Sequence, residues 1–293
     1  MSENPIFNIA VEQLQLDGTI DEYDTNTYVF RDCATGTDKT EEGRHAKDEF
    51  DEKFEEICAN EKPLSTHSST TEDTTIRLAL EEVGWKGPKS TIDAAVEWLV
   101  VDFELGDSAD KASFAHNIKG EYTQDHFGET DYLISDKRGF SSVIDHMAKG
   151  LKENCIKTSQ IVTTINTSNS SVHVTTTTGQ VFRSKDVLVT ASIGVLQSGL
   201  IKFEPELPKW KIAAIDDLKM TTYVKVFVMW EKRWWDDLAE NNDSTVERNL
   251  YTVLLDEDSN QDKWRLVNEV LPLGRKPSND IPESRILCFT AVG

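Results

Sequence analysis

The clearest hydrophobic pattern in the chain is a strict alternation of residue types from Tyr223 to Trp230. One face of the predicted strand carries Tyr223, Lys225, Phe227 and Met229, and the other carries Val224, Val226, Val228 and Trp230. Because side chains of a strand alternate between its two faces, the pattern predicts that the valine face turns toward a core. The opposite face places the ammonium of Lys225 among aromatic side chains. Burial there is costly unless the charge has a partner or lines a cavity.

Apolar residues at helical spacing predict four helices in about the first half of the chain, and a further helix is expected between Pro208 and this strand. The four helices cover residues 41–62, 76–83, 90–105 and 143–151. In the first, Phe50, Phe54 and Ile57 form the stripe of a single buried face. The third begins with Ser90 and Asp93, which have the spacing of a capping box.

Runs of alternating or β-branched residues bounded by turn residues predict further strands. They cover residues 6–16, 28–30, 161–166, 171–176, 180–183, 186–191, 250–255, 264–270 and 285–292. Together with the helices they predict an α+β fold. A mixed, mostly antiparallel sheet would come from residues 1–38 and 197–293, and helices from residues 41–155 would cover it.

The charge balance is strongly acidic and bears on the class of partner. Thirty-one Lys and Arg residues stand against 52 Asp and Glu residues, which gives a formal net charge of −21 over 293 residues. This charge argues against a nucleic acid or an anionic membrane as partner. It would raise the local concentration of a polycation, although the same acidity can serve solubility alone.

The sequence contains no recognisable targeting or spanning segment. No apolar run approaches the length of about 18 residues that a transmembrane helix needs, and the first residues lack the basic and apolar regions of a signal peptide. The compartment is therefore left unassigned, with the cytoplasm as the default. Four distant cysteines, Cys33, Cys58, Cys155 and Cys288, show no CxxC spacing and are expected to be free thiols.

A search for other chemistry gives mostly negative results. The six histidines are scattered and none has ligand spacing to another, so no metal site is expected. The sequence has no P-loop, no HExxH, no GxSxG and no GxGxxG motif.

Five segments resemble a known family. These are LVTASIGVL at residues 188–196, GLIKFEPELPKWK at 199–211, residues 220–225 including Lys225, the Trp pair at 234–235, and DKRGF at 136–140. In their order along the chain they are similar to the flavin-containing amine oxidases, and most similar to the plant-type polyamine oxidases. The resemblance extends over nearly the whole sequence but corresponds to the central portion of a family member.

The resemblance implies an enzyme that uses FAD to oxidise a C–N bond of an amine, with a polyamine as substrate. Oxygen would accept the electrons and yield hydrogen peroxide. Lys225 matches the lysine that holds a water against the flavin N5 atom, and Tyr223 and Phe227 would line the substrate cavity. Glu104 matches an acidic residue near the substrate tunnel, although a helix-end carboxylate that faces water is an equal alternative. Val162 matches a valine whose backbone contacts the adenine.

The same resemblance divides the chain into three parts. Residues 1–130 would supply strands and helices of the substrate domain, residues 131–196 a helix and a β-meander of the FAD-binding domain, and residues 197–293 the substrate-domain sheet. The family's glycine-rich pyrophosphate loop and its closing C-terminal segment have no counterpart in the sequence. Two alternatives therefore stand beside the polyamine oxidase: a truncated, inactive relative or binding remnant, and a histone-lysine demethylase-like amine oxidase.

Overall fold

A computed structural model of the chain describes residues 4–21, 28–32, 35–59, 74–121, 131–167, 171–232, 250–254, 267–270 and 286–292. The chain divides into two compact units. One comprises residues 1–146 and 221–293, and the other comprises residues 147–220.

Helices and strands occur mostly in runs of several elements of the same type along the described chain. The helices are α1 (Pro5–Phe7), α2 (Thr40–Ala59), α3 (Ile76–Glu82), α4 (Thr91–Glu97), α5 (Phe103–Leu105), α6 (Phe114–Glu121), α7 (Ser141–Ala148), α8 (Ile193–Gln197) and α9 (Lys209–Asp217). The strands are β1 (Gly18–Asp21), β2 (Tyr28–Asp32), β3 (Asp131–Ile134), β4 (Val162–Asn166), β5 (Val172–Thr176), β6 (Val181–Ser184), β7 (Lys202–Glu204), β8 (Tyr223–Met229), β9 (Leu250–Leu254), β10 (Val267–Val270) and β11 (Ile286–Val292).

The first unit is built on a five-stranded sheet with the order β2-β9-β10-β11-β8. Strand β2 pairs with β9 in parallel, and the other three pairings are antiparallel. The sheet is therefore mixed and mostly antiparallel, as the sequence predicted. A separate two-stranded ribbon joins β1 to β3.

The core of this unit lies where α2, α3 and α4 meet strand β2. Phe30, Phe50, Ile76, Leu80 and Val96 are fully buried there. The stripe predicted from Phe50 and Ile57 is the buried face of α2. Within α2, Gly43 lies against the ring of Phe30, and a Cβ at this position would come within 2.2 Å of that ring. The absence of a side chain at residue 43 thus lets the helix approach the sheet closely.

Residues 6–16 were predicted to be extended, and this prediction is wrong. The Asn4 side chain accepts hydrogen bonds from the backbone N–H groups of Ile6 and Phe7, and Pro5 occupies the first helical turn. These are strong helix-start signals. Helix α1 continues as a π-helical segment, Asn8–Gln13. Its apolar residues pack around the buried side chain of Val143.

The prediction that the valine face of strand β8 turns toward a core is also wrong. Val224 and Val226 are 46% and 48% exposed, and Trp230 is 39% exposed. Strand β8 is the last strand in the sheet order and pairs with β11. An apolar face at the edge of a sheet becomes a core only if another layer covers it, and the described part of the chain leaves these side chains open to solvent.

The second unit contains a four-stranded sheet with the order β6-β5-β4-β7. Three strands form an antiparallel meander, and β7 joins it in parallel beside β4. The predicted meander strands at 161–166, 171–176 and 180–183 are confirmed. The fourth, at 186–191, is not a strand: these residues pair with no other strand in the described chain. Their sequence favours a β conformation, but a strand also needs a neighbour with which to pair.

The boundaries of the compact units differ from those predicted at residues 131 and 196. Strand β3 stays with the first unit because it pairs with β1. Strand β7 stays with the second unit because it pairs with β4. Helices α8 and α9 are joined in the same unit, since the side-chain amide of Gln197 donates hydrogen bonds to the backbone carbonyls of Ile215 and Leu218. Which domain of a flavin enzyme each unit corresponds to remains a prediction.

Cys58, Cys155 and Cys288 are free thiols, and Cys33 lies outside the described residues. Among the described helices, none is both long enough and apolar enough to cross a membrane.

Candidate functional site

The helix that carries Glu104 changes its winding before it ends. After α4, residues Trp98–Asp102 form a π-helical segment, and the backbone N–H of Phe103 donates to the carbonyl oxygen of Trp98 five residues earlier. A bond of this spacing brings residues i and i+5 onto the same side of the helix. Such π segments are frequent at functional sites.

The π segment creates a row of aromatic side chains that leads to strand β8. The rings of Trp98 and Phe103 lie 5.6 Å apart, and the rings of Phe103 and Tyr223 lie 5.8 Å apart. On an ordinary α-helix, residues 98 and 103 would point about 140° apart, because each residue advances by about 100°. The altered winding therefore places Phe103 between its own helix and the strand.

The end of this helix docks against the start of β8. Gly106 terminates α5 with a left-handed conformation, φ 76°. A Cβ at this position would lie 2.6 Å from the Thr221 hydroxyl oxygen. Both the positive φ angle and the close approach require glycine here. Glu104, which is exposed, is therefore held two residues from a fixed contact with the strand that carries Lys225.

Lys225 lies on β8 with its Nζ atom 6.0 Å from the centre of the Tyr223 ring. The side chain is exposed rather than half-buried, since the described chain does not enclose this face at the sheet edge. Across the sheet, Lys225 is paired with Thr290 of β11. An ammonium at this distance from an aromatic face is weakly attracted to it.

The other two predicted cavity residues share this face. Tyr223 pairs with Val292 and Phe227 pairs with Cys288. Their side chains are 41% and 60% exposed. The structure thus brings Tyr223, Lys225 and Phe227 onto one face, and places the Phe103–Glu104 helix end beside it.

Val162, the predicted adenine contact, belongs to the second unit. It is the first residue of β4 and pairs with Thr176, and a bulge follows between Val162 and Thr164. On the other side of β4, the pairing with β7 begins only at Thr164. The described chain therefore leaves the β7 side of Val162 without a strand partner, which suits a contact made through the backbone.

Sequence reasoning missed a charged cluster that anchors the helix of Glu104. The Arg77 guanidinium donates two hydrogen bonds to the buried Glu97 carboxylate, which also accepts a 2.8 Å bond from the Trp85 indole. Asp110 binds Arg77 from the exposed side at 3.1 Å. The hydrogen bonds that Arg77 donates to Glu97, assisted by the one it donates to Asp110, raise the pKa of Arg77 further above its ordinary value. Residues 77 and 97 are too far apart in sequence for spacing to reveal this pair.

The DKRGF segment contains a second cluster whose partners were not predictable. The Arg138 guanidinium donates to the Asp136 carboxylate, to the Leu14 carbonyl at 3.0 Å and to the Gln15 carbonyl at 2.9 Å. Asp136 also accepts from the backbone N–H of Asp17 at 3.1 Å. Hydrogen bonds from Arg138 hold the pKa of the Asp136 carboxyl well below its usual range. Through the carbonyls of Leu14 and Gln15, the DKRGF segment thus holds the chain where the N-terminal helical stretch ends.

No group of three or more His, Cys, Asp or Glu side chains that could hold a metal ion occurs among the described residues.

Several known proteins are similar to this chain in sequence. Polyamine oxidase 6 of Oryza sativa subsp. japonica is 30% identical over 251 residues, which are 81% of this chain and 49% of the relative. Lysine-specific histone demethylase 1B of Mus musculus is 33% identical over 130 residues, which are 42% of this chain and 15% of the relative. The chain spans about half the length of the curated polyamine oxidases it matches.

Solved structures agree on the fold. A putrescine oxidase variant redesigned in cofactor binding superposes with a TM-score of 0.66 over 98% of this chain and 62% of that one, at 12% identity. At this identity the likeness concerns the fold alone. In sequence, the family model for flavin containing amine oxidoreductases matches residues 48–271, most of the chain. This chain therefore belongs to the flavin containing amine oxidoreductase family.

Proposed function

We propose that this chain contributes the amine-binding side of an FAD-dependent polyamine oxidase. One observation carries the proposal. The Lys225 ammonium and the helix end with Glu104 are held on one side of strand β8, joined by the ring contacts of Phe103 with Tyr223. The polyamine oxidase similarity extends over about four-fifths of the chain, whereas the demethylase similarity is shorter.

The expected role of each side chain follows from its charge and polarity. Glu104 would bind one ammonium of a polyamine through a charge-assisted hydrogen bond. Tyr223 and Phe227 would contact the methylene segments between the nitrogens and exclude water from them. Lys225 would hold a water molecule at the reacting end, and its own positive charge would favour the neutral form of the nearby substrate amine.

The bound cofactor would supply a hydride acceptor for the amine α-carbon, and oxygen would take the electrons to form hydrogen peroxide. The open β7 side of Val162 fits a backbone contact with the adenine. The face of Tyr223, Lys225 and Phe227 is exposed in the described chain, so a planar ring system can approach it. The pyrophosphate is not assigned to any residue of this chain.

The first experiment asks whether the chain binds the cofactor. The purified chain, alone and after incubation with FAD, would be examined by visible absorption spectroscopy and then assayed for peroxide with spermidine. Flavin bands in near-stoichiometric amount together with peroxide release are the expected result. A colourless, peroxide-silent protein would contradict activity in this chain and favour the alternative of an inactive relative.

The second experiment tests Lys225 in flavin-loaded protein. Lys225→Met should slow flavin reduction or reoxidation by about 100-fold, the order lost with a positioned proton-transfer group, and should change amine binding much less. Lys211→Met is the matched control, since Lys211 also lies over an aromatic ring, that of Trp210 at 5.3 Å. Equal rates in wild type and Lys225→Met would refute the role of Lys225.

A further inference from the structure

Thr290 on β11 has an unusual environment for a hydroxyl-bearing residue. Its side chain is fully buried, and its Oγ1 atom has no hydrogen-bond partner within the part of the chain that the structure describes. A buried polar atom without a partner is costly and therefore uncommon. In contrast, Thr176, the other threonine that is buried among the described residues, bonds through its hydroxyl to Thr178 at 2.9 Å.

The position of Thr290 in the sheet limits what its partner can be. Its two cross-strand neighbours are Lys225 on β8 and Val267 on β10. Directly paired residues project from the same face of a sheet with Cβ atoms about 5 Å apart. Along its own strand, the nearest residues on that face are Cys288 and Val292. Among these four strand neighbours, only Lys225 has a strong hydrogen-bonding side chain.

The geometry favours a bridge rather than a direct bond between these two groups. The Lys225 Nζ atom lies 6.0 Å from the centre of the Tyr223 ring, and Thr290 Oγ1 has no hydrogen-bond partner among the described residues, so the two groups are not bonded directly. A water molecule can join two such groups, because it can accept from an ammonium and bond to a hydroxyl at the same time.

We infer that Thr290 is a positioning residue whose hydroxyl and the Lys225 ammonium hold one water molecule between them. The water site itself is a property of this chain. Its role in amine oxidation rests on the proposed function, in which Lys225 presents a water to the cofactor. Two anchors fix a water in direction as well as in place, whereas a flexible lysine alone fixes it poorly. Thr290 would thus define where Lys225 presents that water.

A high-resolution crystal structure of the chain tests the water site without any cofactor. The expected result is a water within about 2.7–3.2 Å of both Thr290 Oγ1 and Lys225 Nζ, retained in Thr290→Ser and lost in Thr290→Val. A Thr290 hydroxyl bonded to a strand carbonyl, or a water that persists in Thr290→Val, would overturn the inference. Because this measurement needs no flavin, it can succeed even if the proposed function fails.

Thermal unfolding supplies a second readout. Thr290→Val should change the midpoint by less than about 1 °C, since no bond within the protein is lost. Thr176→Val, the matched control, should lower it by about 2–4 °C, because the hydroxyl of Thr176 is bonded within the fold. An equal loss in both variants would show that Thr290 serves the fold and would contradict the inference.

If the chain loads with flavin, a double-mutant cycle tests the coupling. Thr290→Val should slow the step that Lys225→Met slows by about tenfold, Thr290→Ser should restore most of the rate, and the effect should vanish in the Lys225→Met background. Independent, multiplicative effects of the two substitutions would contradict a shared water.

Discussion

The two units of the chain differ in how fully they bury their apolar residues. In the first, Phe50, Ile76 and Val96 are completely enclosed. In the second, Leu188 is 86% exposed and Trp210 is 68% exposed. The first unit closes its core with its own helices, whereas the second presents apolar surface that its own residues do not cover. The extent to which apolar side chains are buried therefore distinguishes the two units.

The largest effect should come from matched truncations of one aromatic residue in each region. Phe50 packs against Phe54 and, edge to face at 4.9 Å, against Trp85. Phe50→Ala should lower the free energy of unfolding by about 3–5 kcal/mol, because it leaves a cavity. Trp210→Ala should change it by less than about 0.5 kcal/mol. Urea unfolding curves measure both, and a large loss in Trp210→Ala would mean that its surface is covered in solution.

The buried ion pair of the first unit gives the next effect. Glu97→Gln should lower the free energy of unfolding by about 3 kcal/mol, because the Arg77 guanidinium would remain partly buried beside a neutral amide. Arg77 and Glu97 are 13% and 8% exposed, whereas Asp110 on the outer side of Arg77 is 65% exposed. Asp110→Asn should therefore cost less than about 1 kcal/mol. Similar losses in both variants would show that the inner pair is as well hydrated as the outer one.

The sequence predicted the elements that local patterns specify. The strand of Lys225 follows from its period of two, and helix α2 follows from the stripe of Phe50 and Ile57. Residues 6–16 were misjudged because alternation was weighed above the helix-start signal of Asn4 and Pro5, a local signal that could have been read.

Other errors concern contacts between distant residues. Residues 186–191 have the composition of a strand, but strand formation depends on a pairing partner that composition cannot supply. The pairs Arg77–Glu97 and Arg138–Leu14 join residues 20 and 124 positions apart, so no spacing rule indicates them. The π segment before Phe103 was not predicted either, although it decides which side of the helix faces Tyr223.

A smaller effect, dependent on pH, concerns the Asp136–Arg138 cluster of the first unit. Since Arg138 lowers the pKa of Asp136, the ionised carboxylate stabilises the fold at pH values above the ordinary pKa of an aspartate, about 3.9. This contribution is lost as the pH falls further toward the lowered value. Asp136→Asn should therefore melt a few degrees below wild type at pH 7, and the gap should narrow toward pH 3. Thermal melts across this range measure it.

Asp145→Asn in helix α7 is the matched control for this cluster. Asp145 is exposed, so its replacement should leave the melting temperature nearly unchanged at every pH. A gap between wild type and Asp136→Asn that stays constant from pH 7 to pH 3 would contradict the assigned role of the carboxylate charge.

The smallest effect on stability should accompany a measurable effect on association, and it concerns the second unit. An exposed apolar segment promotes contact between molecules. Leu188→Lys should leave the unfolding curve nearly unchanged but lower the weight-average mass at high protein concentration, as measured by sedimentation. Thr190→Lys adds the same charge at an exposed polar position of the same segment and should have little effect. Equal effects of both substitutions would mean that charge governs association. A larger effect of Leu188→Lys would show that the apolar side chain of Leu188 makes the contact between molecules. The unpaired segment would then bury its apolar surface by association, whereas the first unit buries its own with helices.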